Sequence, residues 1–284
     1  MEIVATLGQM QFWREAWRRS EKTVALVPTM GALHAGHLAL VTEAAEIADK
    51  VVVSIFVNPL QFGPSEDFSR YPRDLALDME KLAQLGKTEV IFNPSVEVMY
   101  PGGTSLTTVT VAEMSQVLCG RIRPTHFAGV TTVVTKLLHI IQPDVAVFGQ
   151  KDAQQLAIIR QLVHDLNFPV KVVGVATVRE SSGLALSSRN RYLSPEQKEK
   201  ASYLYRGLKS AEILFRNGER RAEVLAAQVK KTLAQAELCA EYVECVDFES
   251  LRQVEIIERP VTLALAAYVG PARLIDNITL DPGH

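Results

Sequence analysis

Val24-Ala25-Leu26-Val27-Pro28-Thr29-Met30-Gly31-Ala32-Leu33-His34-Ala35-Gly36-His37 runs from a short apolar segment, through a loop carrying two glycines, into a stretch with helical spacing. The apolar run 24–27 ends at Pro28. Leu38, Val41, Ala45 and Ala48 then recur at helical intervals, which predicts an amphipathic helix over 37–49. Outward from this point, 51–57 is a continuous β-rich run with no polar face, as expected of a parallel strand covered on both sides by helices. Leu75, Met79, Leu82 and Leu85 mark a second helix closed by Gly86, and 89–92 supplies a further strand. After a less regular stretch over 100–124, the residues 133–141 read as a helix end, 145–148 as a strand, 153–166 as a helix and 170–177 as a strand. This alternation predicts an α/β fold: a doubly wound, Rossmann-like parallel sheet with right-handed crossovers. Ligands of such sheets lie at the carboxyl ends of the strands, so the loops after Val27, Val57, Phe148 and Thr177 are the ones expected to carry chemistry.

From about Arg179 the texture changes. Segments 195–216 and 219–236 are charged, helix-like and rich in Ala, Leu, Glu and Lys, and strand-like 242–248 and 261–269 follow. Helices followed by an antiparallel pair predict a second, smaller α+β domain. The expected division is a nucleotide-binding domain over 1–177 and a C-terminal lid domain over 178–284, which suits a length of 284 residues. A formal net charge of −2 provides no strong field for nucleic acid or a membrane surface, although a local basic pocket is compatible with it. The three cysteines, Cys119, Cys239 and Cys245, are odd in number and lack CxxC spacing, which argues against a disulfide framework or a zinc knuckle. Met1-Glu2-Ile3-Val4 has no basic region leading into an apolar core, and the apolar runs fall far short of a membrane span. The expectation is a cytoplasmic protein.

Several residues stand where chemistry is expected. Gly31 and Gly36 let backbone approach a ligand, and the N-terminus of the following helix offers N–H groups suited to phosphate. His34 and His37 either donate to phosphate oxygens or cap that helix; a zinc reading lacks a third ligand nearby in sequence. Asn58 and Gln61 follow the run 51–57 and offer donors and acceptors for hydroxyl and carboxylate groups, or else satisfy the loop backbone. Gly149 permits close approach, Lys151 is a mobile cation, and Asp152 either caps a helix or holds a ribose. Ser187, Ser188 and Arg189 offer hydroxyls and a guanidinium that binds phosphate bidentately. Arg179 is either a pocket residue or a salt-bridge partner, and His126 either meets a ligand or packs beside Phe127. His139, His164 and His284 carry no signal beyond core or surface placement.

His34-Ala35-Gly36-His37 resembles the HxGH signature of the nucleotidyltransferase superfamily, which includes class I aminoacyl-tRNA synthetases. The longer string 27–37 resembles the pantothenate synthetase family. The resemblance continues through Phe56-Val57-Asn58-Pro59-Leu60-Gln61-Phe62, Tyr71-Pro72-Arg73 and Arg123-Pro124-Thr125-His126-Phe127-Ala128-Gly129-Val130. It includes Phe148-Gly149-Gln150-Lys151-Asp152 with Gln154-Gln155, then Ala185-Leu186-Ser187-Ser188-Arg189-Asn190, then Ala272-Arg273-Leu274-Ile275-Asp276-Asn277. It spans nearly the whole chain with its motifs in family order. The chain departs from many relatives in having Gln150 and Ala153 where they carry Glu and Tyr.

The resemblance implies an ATP-dependent ligase that condenses pantoate with β-alanine through a pantoyl adenylate, releasing AMP and pyrophosphate. It implies ATP contacts at Pro28, Thr29, Met30, Gly31, His34, His37, Gly149, Lys151, Asp152, Val178, Leu186, Ser187, Ser188 and Arg189. Pantoate falls to Met30, Asn58, Gln61, Arg123 and Gln155, and the catalytic group to His34, His37, Lys151, Ser187, Ser188 and Arg189. Ser187-Ser188-Arg189 looks like the counterpart of the KMSKS loop. Mg²⁺ is expected to arrive with ATP, and Asp78 is either its best single protein contact or a solvated helix acid. A homodimer is implied, with no nucleic-acid or membrane partner. Two rivals share the HxGH signature: a nucleotidylyltransferase that releases an adenylylated product, and a non-catalytic nucleotide-binding regulator. A ligase is set apart by free AMP that appears only with the amine acceptor.

Overall fold

The computed structural model describes residues 1–64 and 66–283, so His284 lies outside the described residues. The chain packs as two compact units. The first comprises Met1–Ser115, Arg123–Gln150 and Ile158–Ala176, and the second Gln116–Ile122, Lys151–Ala157 and Thr177–His284.

The first unit is built on a six-stranded sheet in the order β1-β4-β3-β2-β5-β6, with every described pair parallel. The strands are β1 (Glu2–Val4), β2 (Val24–Thr29), β3 (Lys50–Ile55), β4 (Val90–Phe92), β5 (Val145–Gly149) and β6 (Lys171–Val175). Its helices are α1 (Leu7–Arg19), α2 (Ala35–Ile47), α3 (Leu75–Leu85), the single turn α4 (Val96–Met99) and α6 (His126–Ile141); the turn α5 (Cys119–Ile122) belongs to the second unit. Helix α7 (Ala153–Asp165) gives its first turn to the second unit and the rest to the first.

Two-sided burial explains the continuous apolar strands read from the sequence. Ala25, Val27, Val51, Val53, Ile91 and Val147 form one core with Leu33, Val41, Ala44 and Leu82 from α2, α3 and the loop before α2. The intervening residues Leu26, Val52 and Ala146 point to the opposite face and are equally buried. The α/β, doubly wound expectation therefore holds.

Strand β2 does not stop at Pro28 as expected; it continues to Thr29, with Pro28 opposite Ser54. The carbonyl of Val24 faces β5, where it accepts the Asp144 N–H, and that of Thr29 faces β3, where it accepts the Phe56 N–H. Alternation turns the nitrogen of Pro28 toward β5, whose pairing with β2 ends at Leu26, so no ladder bond is missed there. The sequence reading also passed over β1 and α1, whose N-cap Thr6 forms a capping box with Gln9.

In the second unit, α8 (Pro195–Arg216) starts at a Ser194–Gln197 capping box with Pro195 in the first turn, and α9 (Ala222–Ala234) follows. The expected antiparallel pair is in fact a three-stranded sheet: β7 (Ala240–Asp247), β8 (Val261–Val269) and β9 (Ala272–Leu280), with β8 central. Leu204, Leu208, Leu225, Val229, Leu263 and Leu265 are at the centre of its core. Among the described residues, no helix is long and apolar enough to cross a membrane.

Candidate active site

Strands β2 and β5 are neighbours, and the chain winds away from them in opposite directions, toward β3 and β4 on one side and β6 on the other. The loops after these two strands flank the switch point of the sheet. One loop carries Thr29 to His37, and the other begins at Gly149.

The first loop is held in an unusual backbone shape. The Thr29 hydroxyl donates to the Ser54 carbonyl at 2.8 Å and accepts the Gly31 N–H at 3.1 Å. Gly31 has φ +80°, and a Cβ there would lie 3.0 Å from Asp78 Oδ2 and 3.1 Å from Ile55 Cγ2. Ala32 follows at φ +52°, a region that side-chain-bearing residues seldom adopt. Asp78, only 1% exposed, stabilises this turn. Its Oδ2 accepts the Ala32 N–H at 2.8 Å and its Oδ1 the Leu33 N–H at 2.7 Å, while the Lys81 ammonium donates to the Leu33 carbonyl at 2.6 Å. Burial pushes the Asp78 carboxyl up, against the pull of the two N–H donors and Lys81. Asp78 is thus no solvated helix acid: it is buried, and each of its oxygens accepts one N–H of the loop backbone.

His34 is the N-cap of α2. Its Nδ1 accepts the Gly36 N–H at 3.2 Å, and its own N–H donates to Nδ1 of His37 at 3.3 Å. The capping alternative is thus real, and it has a chemical consequence. A ring nitrogen that accepts from an N–H carries no proton, so in each neutral imidazole the proton sits on Nε2. The two rings lie 4.0 Å apart at 35°. The N-terminus of α2 therefore presents two imidazoles of fixed tautomer, both as donors through Nε2.

At the carboxyl end of β3, Asn58 is fully buried. Its amide donates to Gln61 Oε1 at 3.2 Å and to the Gly129 carbonyl at 3.0 Å. Its oxygen accepts the Leu60 N–H at 3.3 Å and the Tyr100 hydroxyl at 2.9 Å, and burial pushes the Tyr100 phenol up, which keeps it a donor. Two donors and two lone pairs of the Asn58 amide are thus met within the protein, and the bond to Oε1 orients Gln61. With Oε1 pinned, the Gln61 Nε2 faces Met30 Sδ at 3.1 Å. Gly129 lets α6 come this close: a Cβ would stand 2.3 Å from the Leu60 carbonyl oxygen.

Arg123 donates through Nε to Glu66 Oε1 at 2.6 Å, through Nη2 to Glu66 Oε2, and through Nη2 to the Gln61 carbonyl at 3.2 Å. Burial alone would raise the Glu66 carboxyl, but the Arg123 hydrogen bonds and charge hold it below its ordinary 4.5. The guanidinium is therefore engaged by a carboxylate of this chain. His126 packs beside Phe127, its ring edge-on at 4.9 Å, and its Nδ1 lies 2.9 Å from the Gln61 carbonyl.

In the second unit, Lys151 and Asp152 lie in a 3-10 turn, with Lys151 Nζ 3.6 Å from Asp152 Oδ1. The two glutamines that follow divide their roles. Gln154 is buried, accepting the Cys119 N–H at 3.0 Å and donating to the Val117 carbonyl at 2.7 Å, whereas Gln155 is only half-buried. Val178 and Leu186 face each other across a hairpin, where the Leu186 N–H donates to the Val178 carbonyl at 3.0 Å and Arg179 bridges Ala185. The hairpin leads into Ser187, which caps the short turn Ser188–Tyr192 by accepting the Arg189 N–H at 3.3 Å. Arg179 is a salt-bridge partner, its guanidinium gripping Asp276 at 2.6 Å.

The structure thus brings Pro28 to Gly31, His34, His37, Asn58, Gln61, Asp78, Arg123 and Gly149 into the first unit. Lys151, Asp152, Gln155, Val178 and Leu186 to Arg189 fall in the second. Sequence reasoning missed the loop brace formed by Asp78 and Lys81, whose only signal was a helical i, i+3 pair.

A family model described as pantoate-beta-alanine ligase matches residues 2–279. A pantothenate synthetase of Thermotoga petrophila is 52% identical over 281 residues, covering 99% of this chain and 100% of that protein. One of Desulfitobacterium hafniense is 56% identical over 266 residues, 93% of each. The crystal structure of pantothenate synthetase from Thermus thermophilus superposes with a TM-score of 0.91 at 44% identity, covering 98% of this chain and 99% of that one. A Francisella tularensis pantoate-beta-alanine ligase, crystallised with beta-gamma ATP and β-alanine, gives a TM-score of 0.81 at 35% identity, covering 98% of this chain and 97% of that one.

Proposed function

The chain belongs to the pantoate–β-alanine ligase family, and from that membership we propose how its own residues carry the reaction. The enzyme is an ATP-dependent ligase that condenses pantoate with β-alanine through a pantoyl adenylate. A carboxylate oxygen of pantoate bonds to the α-phosphorus of ATP, and the bond to pyrophosphate breaks. The β-alanine nitrogen then bonds to the activated carbonyl carbon, its C–O bond to AMP breaks, and the nitrogen gives up a proton.

A carboxylate is already a nucleophile at neutral pH, so the first step requires alignment and charge neutralisation rather than a strong base. His34 and His37 supply Nε2–H donors to the phosphates of ATP at the N-terminus of α2, where the helix dipole adds to their effect. Pro28 to Gly31, Gly149, Val178 and Leu186 approach the nucleotide through backbone, and Asp152 takes the ribose. Lys151, Ser187, Ser188 and Arg189 neutralise and grip phosphate oxygens. Gln61 holds a pantoate hydroxyl or carboxylate beside Met30, Gln155 assists, and Asn58 serves by orienting Gln61. Arg123, whose Nε and Nη2 donate to Glu66 and the Gln61 carbonyl, turns Nη1 to pantoate.

Magnesium, which ATP ordinarily carries, would screen phosphate charge when bound. Such an ion is held mainly by phosphate and water rather than by a protein cage. Family resemblance supports a homodimer. The three free cysteines fit a reducing compartment, hence the cytoplasm.

The observation that carries this reading is the reciprocal capping of His34 and His37, which fixes both Nε2 protons at the switch point. It is tested by supplying ATP, Mg²⁺ and pantoate with and without β-alanine. Pantoate-dependent exchange of labelled pyrophosphate into ATP is expected without the amine, and AMP with pantothenate only in its presence. Absence of exchange in folded protein rejects the reading.

A further inference from the structure

We propose that Asp276 and Asn277, neighbours on β9, are positioning residues for adenylate formation, holding the Lys151 turn and the 178–188 hairpin in one register. The proposal rests on the reading of Lys151 and Ser187 to Arg189 as phosphate-handling groups.

Asp276 is 2% exposed and fully used. Its Oδ2 accepts from Arg179 Nη1 at 2.6 Å, and its Oδ1 from Arg179 Nη2 at 2.9 Å and from the Asn277 N–H at 2.8 Å. Arg179 opens the hairpin, donates to the Gly183 carbonyl near its tip at 3.1 Å, and lies over the Tyr205 ring at 3.8 Å. One bidentate ion pair therefore fixes the hairpin that leads into Ser187. The next residue secures the other segment, with Asn277 Nδ2 donating to the carbonyl of Lys151 at 2.8 Å. This bond restrains the peptide from which the ammonium extends.

An unbroken chain of hydrogen bonds thus runs from the Lys151 carbonyl through Asn277 and Asp276 to Arg179 and the hairpin. Adjacent residues on a strand point to opposite sides, which lets one short stretch of β9 address two separate segments. Neither residue needs to touch substrate. Their effect is to set the spacing of groups that must meet one triphosphate together, where misplacement by about 1 Å costs on the order of 10²-fold in rate.

The test compares Asn277→Ala with Lys151→Ala and wild type in pantoate-dependent pyrophosphate exchange, and in attack of β-alanine on supplied pantoyl adenylate. Asn277→Ala is expected to slow exchange about 10–100-fold with little change in the KM for ATP, leaving the second step near wild type. Wild-type exchange overturns the proposal, and so does an equal fall in both steps, which marks a merely structural role. If Asn277→Ala fails to fold, Asn277→Asp decides. It retains shape but sets an acceptor against the Lys151 carbonyl, and protonation restores a donor. Its exchange rate relative to wild type is expected to recover as pH falls, and a flat ratio overturns the proposal. Lys151→Ala separates the two levels: wild-type exchange in that variant rejects the parent reading, whereas a slow Lys151→Ala beside a fast Asn277→Ala rejects only this inference.

Discussion

The carboxylate of Asp78 takes the backbone N–H of Leu33, 45 residues earlier in the chain, at 2.7 Å. With the companion bond to Ala32 it keeps the left-handed turn before α2 closed. Asp78→Asn removes one acceptor and can set an amide N–H against a backbone N–H. A buried donor left without a partner costs about 1–3 kcal/mol. A lower denaturation midpoint and slower pyrophosphate exchange are expected together; wild-type values for both would remove Asp78 from the loop's support.

His34 is a helix cap and, in the proposed reaction, a phosphate donor, two roles that a substitution can separate. Asparagine is a good helix N-cap and has no imidazole, so His34→Asn should retain the fold within about 1 kcal/mol. Loss of one phosphate donor should lower adenylate formation by about 10²–10³. Single-turnover measurement of pyrophosphate release beside thermal melting distinguishes the roles, and a fully active variant would reduce His34 to a cap.

Lys151→Ala should lose a similar factor, about 10²–10³ in adenylate formation, because it removes one preorganised cation. Turnover unchanged from wild type would remove Lys151 from the catalytic group.

Gly129 stands where α6 passes the turn bearing Gln61, and an added methyl would lie 2.6 Å from the Gln61 nitrogen. Gly129→Ala must push that turn away. Overpacking of this kind costs about 1–3 kcal/mol, and the displaced amide should raise the KM for pantoate more than that for ATP. Equal changes in the two constants would contradict the placement of Gln61.

Glu66 supplies a pH dependence of definite sign. Its folded-state carboxyl lies below the ordinary 4.5, since Arg123 outweighs the effect of burial. A depressed acid stabilises above its unfolded value and loses that contribution as pH falls through the folded one. Glu66→Gln should therefore be less stable than wild type at neutral pH, and the gap should close below 4.5. A gap that persists unchanged into acid would show that the ion pair contributes nothing.

Much of the sheet was legible because two-sided burial writes long apolar runs, as in 51–57. β1 left no comparable trace: it has three residues, and of these only Val4 is buried. β9 was hidden for a different reason. Ala272, Leu274 and Asp276 occupy its buried phase, and a carboxylate in that phase breaks the apolar alternation that marks a strand. At the site, the loop after β2 was legible from its glycines and histidines. The hydrogen bonds of Asn58 were not, since they come from Tyr100, 42 residues away, and Gly129, 71 residues away. An amide that meets a ligand and one that orients its neighbour look alike in one dimension.

The grip of Asp276 on Arg179 spans 97 residues. During synthesis the hairpin before Ser187 leaves the ribosome well ahead of the strand that anchors it. Until β9 emerges and adds to β8, Arg179 has no carboxylate from Asp276 to receive it. The ion pair that fixes this hairpin therefore forms well after the hairpin itself has been made.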